Sequence, residues 1–217
     1  MKKIHYLNLG MAKSGTTAIF DTLMTHPEID FTGFKENFLF SHHGYELEQY
    51  SEYYKNFNIS LNFCTALWTM EFQQIKELDK ITTHYSIIFR NPYHFVQSLY
   101  NFIPHNNISI HSFIAMMLET NQLNYAKILD RWDMIIKTKP FKILYYEDLT
   151  TDPNLYQSLT EFLGLTDVKL VPKLSNVSKN KTLVDNFSTQ HVTVINELIE
   201  QFEQKMNKNL SHWKMFI

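Results

Sequence analysis

Residues 7–20 read LNLGMAKSGTTAIF, and the reading of this stretch decides the fold. A Walker-type phosphate loop follows the pattern G-x-x-x-x-G-K-[ST], in which the Lys after the second Gly reaches the phosphates. Gly10 and Gly15 keep the glycine spacing, but Thr16 follows the second Gly and the only Lys, Lys13, lies inside the loop. That departure weakens an ATP reading while leaving an anion cradle intact. The apolar run IHYLNL before the loop reads as a strand, and Ile19, Phe20, Leu23 and Met24 after it recur at helical spacing. A helix beginning near Thr16 then turns its exposed N–H groups and the positive end of its dipole toward an anion.

Working outward, THPEIDF (25–31) reads as a Pro turn leading into a short second strand, with FKENFLF (34–40) directly after it. ELEQYSEYYKNFN (46–58) is expected to form a polar surface helix, and ALWTMEFQQIKEL (66–78) another. HYSIIF (84–89) is the compact apolar run of a buried parallel strand. In RNPYHFVQSLYNF (90–102), Asn91 suits an N-cap and Pro92 the first helical position. Helices are expected within 111–120 and 124–137, a strand at FKILYY (141–146), and a helix that starts near Asp152 and Pro153 and ends before Gly164. Residues 173–186 are polar and Lys-rich and read as a loop, and the last helix runs from about Ser188 with Val192, Ile195, Ile199, Phe202 and Met206 on one face. Strands alternating with helices imply an α/β fold with three layers, a mostly parallel central sheet flanked by helices.

With 217 residues the chain is expected to be one domain, its nucleotide-binding core at about 4–165 and a basic loop and C-terminal helix at about 173–217. A formal net charge of −2 gives no sign of a nucleic-acid surface. One cysteine, Cys64, leaves no intrachain disulfide and no Cys cluster for a metal. The N-terminal apolar run is interrupted by His5 and Asn8, so it reads as a strand and not a signal peptide, and no stretch approaches transmembrane length. A cytoplasmic location in a reducing compartment is the expectation.

Four motifs together resemble the sulfotransferases that use 3′-phosphoadenosine 5′-phosphosulfate (PAPS), in particular their carbohydrate-directed and bacterial branches. GMAKSGTT is similar to that family's 5′-phosphosulfate loop, where K-x-G-T-T replaces the Walker ending. RNPYHFVQS sets Arg90 and Ser98 where the family holds the 3′-phosphate, FKENFLF is similar to its K-E-x-x-F-F element, and YYEDLTTDP…FLGL resembles a recurrent structural signature. The four occur in family order. The resemblance implies a P-loop-like fold, PAPS as donor, 3′-phosphoadenosine 5′-phosphate (PAP) as product, no required metal, and a carbohydrate, glycolipid or small-metabolite acceptor.

The residue chemistry is consistent with that implication. Sulfuryl transfer asks little covalent work of a protein, so positioning and charge stabilisation at the leaving oxygen carry catalysis, as in phosphoryl transfer. Lys13, with Ser14, Gly15, Thr16 and Thr17, can hold the 5′ end, and Arg90 can bind a 3′-phosphate through charge-assisted hydrogen bonds with Ser98 beside it. Glu36 is the candidate base, with His42 or His43 as the alternative, and Lys35 can neutralise the sulfonate or simply pair with Glu36. Arg90 can instead pair with Asp148, and Ser98 can bond a backbone carbonyl one turn earlier. Lys179 and Lys181 suit a loop that closes over the nucleotide, or a solvated face. Two other functions stay open at this point, a nucleotide-dependent kinase with a degenerate loop and a non-catalytic nucleotide-binding module. The oligomeric state is not legible.

Overall fold

A computed structural model describes residues 3–36, 47–65, 67–103, 108–173 and 187–216. His42, His43, Lys179, Lys181 and nearly all of the basic segment expected at 173–186 lie outside the described residues. In chain order the elements are β1 (Ile4–Asn8), α1 (Thr16–Leu23), α2 (Leu47–Tyr54), β2 (Ile59–Phe63), α3 (Phe72–Asp79), β3 (His84–Phe89) and α4 (Pro92–Tyr100). There follow α5 (Ile110–Glu119), α6 (Tyr125–Arg131), α7 (Asp133–Thr138), β4 (Phe141–Tyr145), α8 (Asp148–Thr151), α9 (Leu155–Phe162) and α10 (Thr189–Met206). The chain divides into two compact units, Met1–Phe89 with Asp133–Val177, and Arg90–Trp132 with Ser178–Ile217.

The first unit is built on a four-stranded sheet of order β2-β1-β3-β4. All neighbouring strands are parallel, with Asn8 opposite Phe63 on one side and Ser86 on the other. Every residue of β1, β2 and β3 is buried. Since successive side chains point to opposite faces, both faces of the sheet are covered. Phe63 packs on Phe20 of α1 and Tyr6 on Phe162 of α9, edge to face with ring centroids 5.6 and 6.3 Å apart, so α1 and α9 cover the face that carries Tyr6 and Asn8. His5 points to the opposite face, against Tyr50 and Tyr54 of α2. The chain leaves β1 for β2 on one side and later enters β3 on the other, which puts the switch point at the carboxyl ends of β1 and β3. The loop of residues 9–15 starts there.

Three expectations need correction. No strand forms at 25–31; the Asp30 carboxylate instead accepts from the backbone N–H groups of Asn58 and Ile59, each at 3.0 Å, and so fixes the start of β2. The second strand is ISLNF at 59–63, whose Ser60 and Asn62 break the apolar run that marks a buried strand. The helix expected across 66–78 is a single 3-10 turn at Leu67–Thr69 followed by α3, where Glu71 and Gln74 form a capping box. The long helix expected at 124–137 breaks at Trp132 into α6 and α7.

The second unit is helical. Asn91 caps α4 through Oδ1, which accepts from the Tyr93 N–H at 3.0 Å, and Pro92 takes the first position as expected. Asn91 Nδ2 also donates to the Trp213 carbonyl at 3.2 Å. Ser188 caps α10, and Val192, Ile195, Ile199 and Phe202 form its buried face. Phe202 meets the edge of Tyr125 at 5.5 Å and stacks on Trp213 at 6.3 Å, which fixes α10 against α6. No described helix is long and apolar enough to cross a membrane.

Candidate active site

The loop after β1 is held from three directions within the first unit. The Ile88 N–H donates to the Gly10 carbonyl at 2.7 Å and the Met11 N–H to the Ile88 carbonyl at 3.2 Å, so β3 escorts the chain past the strand end. Gly10 lies at φ +105°, and a Cβ there would fall 2.9 Å from the Thr65 carbonyl oxygen. Gly15 lies at φ +83°, and a Cβ there would fall 2.2 Å from Leu149 Cδ1 and 3.2 Å from Tyr146 Cδ2. Both glycines therefore answer a left-handed backbone and a close approach. The segment Tyr146–Leu149, from the YYEDL motif, is thus the support behind the loop.

Lys13 takes φ 58°, a region that residues with a side chain seldom occupy and that clusters at ligand sites. Ser14 and Thr16 are buried, whereas Lys13 and Thr17 are half-buried. α1 begins at Thr16 behind the left-handed Gly15, with no side-chain cap and no acidic residue in its first turn. The first N–H groups of a helix lack partners within it, so this start offers donors and a positive dipole end to an anion.

Glu36 is tied to the same region, although no strand precedes it. The Phe63 N–H donates to the Lys35 carbonyl at 2.9 Å, which aligns this segment with the end of β2. Lys35 Nζ donates to Glu36 Oε1 at 2.5 Å, and the Thr65 hydroxyl donates to Glu36 Oε2 at 3.2 Å. Thr65 is also the residue whose backbone lies against Gly10. One residue thus links the carboxylate to the first glycine of the loop. The Glu36 side chain keeps 25% of its surface exposed, so water and a substrate can reach it.

Arg90 and Ser98 belong to the second unit. The Arg90 carbonyl accepts from the Tyr125 hydroxyl at 2.8 Å, which fixes the backbone just before α4, and Ser98 is buried on that helix. Burial, and secondarily the Arg90 guanidinium, hold the nearby His94 imidazole below its usual range. The structure accordingly gathers Lys13 to Thr17, Lys35 and Glu36 in one unit and places Arg90 and Ser98 in the other.

A family model described as the sulfotransferase domain matches residues 3–215, and the chain belongs to the sulfotransferase family. It is therefore read as an enzyme of sulfuryl transfer, and the kinase and non-catalytic readings are set aside. A sulfotransferase from Alicyclobacillus acidocaldarius is similar in fold, with TM-score 0.72 and 17% identity over 98% of this chain and 99% of that one. Mouse sulfotransferase SULT7A1 complexed with PAP is similar with TM-score 0.59 and 14% identity over 98% of this chain and 86% of that one. The sulfotransferase domain from the curacin biosynthetic pathway is similar with TM-score 0.52 and 15% identity over 77% of this chain and 76% of that one. No curated protein matches the sequence.

Sequence reasoning missed Thr65, Asn8 and Ser86, all of which support the loop or the carboxylate. Thr65 follows a strand that was not recognised. Asn8 did carry a signal, because an Asn two residues before a Gly suits a side-chain bond to the Gly N–H, and Ser86 stood out as the one hydroxyl in HYSIIF apart from Tyr85.

Proposed function

We propose that the protein transfers a sulfuryl group from PAPS to a hydroxyl, with an amine as second choice, on a carbohydrate, glycolipid or small-metabolite acceptor. The observation that carries the reading is Thr65, which holds the Glu36 carboxylate beside Gly10 at the start of a loop that leads to an uncapped helix. PAPS, when bound, supplies an electrophilic sulfonate and a phosphate leaving group. The N–H groups and hydroxyls of Ser14 to Thr17 and the Lys13 ammonium bind the 5′ end and stabilise charge on the leaving oxygen. Glu36 takes the acceptor's proton. A carboxylate has about four lone-pair sites, and Lys35 and Thr65 occupy two of them, so acceptor sites remain. Lys35 orients Glu36 and lowers the charge presented to an approaching sulfonate.

Arg90 and Ser98 are assigned to the 3′-phosphate, on the chemistry of a guanidinium with a phosphate and on the motif order. Lys179 and Lys181 are assigned to contacts with the nucleotide's phosphates, on their charge. A cytoplasmic location suits a donor made in the cytosol.

Calorimetric titration of PAP, with Mg²⁺-ATP as comparator, into the native protein and into Arg90→Ala tests the assignment. PAP should bind more tightly than ATP, and Arg90→Ala should weaken it by ~1.5–3 kcal/mol, roughly ten- to a hundredfold. Preference for ATP would refute the donor, and an unchanged affinity in the variant would remove Arg90 from the site.

A further inference from the structure

We infer that Asn8 and Ser86 are positioning residues for the anion loop, a buried latch that fixes the Gly10 amide and with it the path of the loop toward α1. The inference rests on the reading that this loop holds the 5′ end of the donor.

Asn8 ends β1 and is fully buried, as is Ser86 opposite it on β3. A buried amide is costly unless both its ends are bonded. Asn8 bonds both. Its Oδ1 accepts from the Gly10 N–H at 3.1 Å, and its Nδ2 donates to Ser86 Oγ at 2.7 Å. The Gly10 N–H can only donate, so the amide orientation is fixed by the network. Ser86 Oγ is held in turn by the Tyr6 hydroxyl at 2.5 Å. The chain of bonds therefore runs from Tyr6 through Ser86 and Asn8 to a backbone N–H of the loop.

Its end point sets its role. Gly10 is where the chain turns out of the strand into a left-handed conformation, with Ile88 bonding its carbonyl and Thr65 against its Cα. With the N–H bonded to Asn8 and the carbonyl to Ile88, both peptide planes that meet at Gly10 are fixed. The same bond spends that N–H inside the protein, which leaves the donors from Ser14 onward to face the anion. An apolar residue at position 8 would fill the space without fixing the plane. The sheet would persist, and the loop would lose its preset path.

A positioning role can be separated from a structural one by two ligands that differ only at the 5′ end. PAP engages the loop, whereas adenosine 3′-phosphate has no group for it. Both are titrated calorimetrically into the native protein, Asn8→Ala and Ser86→Ala, with thermal unfolding recorded for each. The latch requires PAP affinity to fall by roughly tenfold in Asn8→Ala, the scale of one buried hydrogen bond, and by less in Ser86→Ala, while adenosine 3′-phosphate affinity stays within about twofold. Equal loss for both ligands, or no loss for PAP in folded variants, overturns it. Should Asn8→Ala fail to fold, Ser86→Ala carries the same test. If the native protein itself does not bind PAP, the proposed donor has failed, an outcome distinct from a native protein that binds PAP and variants that match it.

Discussion

Two buried polar networks grow from adjacent residues of β1 and point to opposite faces of the sheet. On one face, Tyr6, Ser86 and Asn8 run toward the carboxyl edge and end on the Gly10 N–H. On the other, His5 Nδ1 lies 2.8 Å from Ser60 Oγ and Nε2 lies 3.0 Å from the Tyr50 hydroxyl, which accepts from Asn62 Nδ2 at 2.8 Å. One proton arrangement satisfies these bonds together with that of Ser60 to the Ile4 carbonyl. Asn62 donates to Tyr50, Tyr50 donates to Nε2, Nδ1–H donates to Ser60, and Ser60 donates to the Ile4 carbonyl. The second network joins β1, β2 and α2, so its bonds hold a helix to a sheet. The first spends its last bond on a loop. Buried polarity by itself is ambiguous; where the network ends decides whether it serves stability or a site.

The sharpest way to break that division is at the loop edge. Glu36→Gln keeps an oxygen for Thr65 and removes the basic carboxylate, so kcat should fall by about 10²–10⁴, the usual worth of a general base. PAP affinity and unfolding should stay near native. A kcat close to native would transfer the proton to another group, and His42 and His43 would be next to vary. His5→Ala addresses the other face. It strands Ser60 and Tyr50 and opens a cavity under α2, so stability should fall by ~2–4 kcal/mol in urea unfolding, with PAP affinity unchanged. A weakened PAP affinity with unfolding unaltered would mean that the two faces are not independent.

The same contrast explains what the sequence disclosed. The loop, the helix after it, β3 and the Asn91-Pro92 helix start were legible because each is written locally, in glycine spacing, an unbroken apolar run and a cap. β2 was not, since Ser60 and Asn62 are buried to bond His5 and Tyr50, and a strand with polar residues on one face looks solvated when its partners are unknown. Asp30 misled in the complementary way. Its neighbours Ile29 and Phe31 suggested a strand, whereas its carboxylate serves as a cap for a strand that starts at Ile59. Glu36 is expected after a strand; its pairing with the adjacent Lys35 is legible, but it is also held by Thr65, 29 residues away, and its segment by the end of β2, which no local pattern encodes. Motif spacing thus pointed to the anion loop, but the residues that brace it come from β3, from Thr65 and from the Tyr146–Leu149 corner.

The smallest effect concerns the proton that burial keeps off His5. Burial pushes the His5 imidazole down from 6.5 to about 3. Between those values the unfolded chain binds a proton that the folded chain does not, so stability rises with pH by up to ~1.4 kcal/mol per unit and the penalty vanishes above the unfolded value. Acidification from pH 7 to 5 should therefore cost the native protein about 2 kcal/mol more than it costs His5→Gln, since the carboxylates titrate alike in both. Urea unfolding at the two pH values gives that difference directly. Parallel losses in the two proteins would mean that His5 takes up its proton as readily in the fold as in the unfolded chain, and the bond from the Tyr50 hydroxyl to Nε2 would then have to reverse below its pKa.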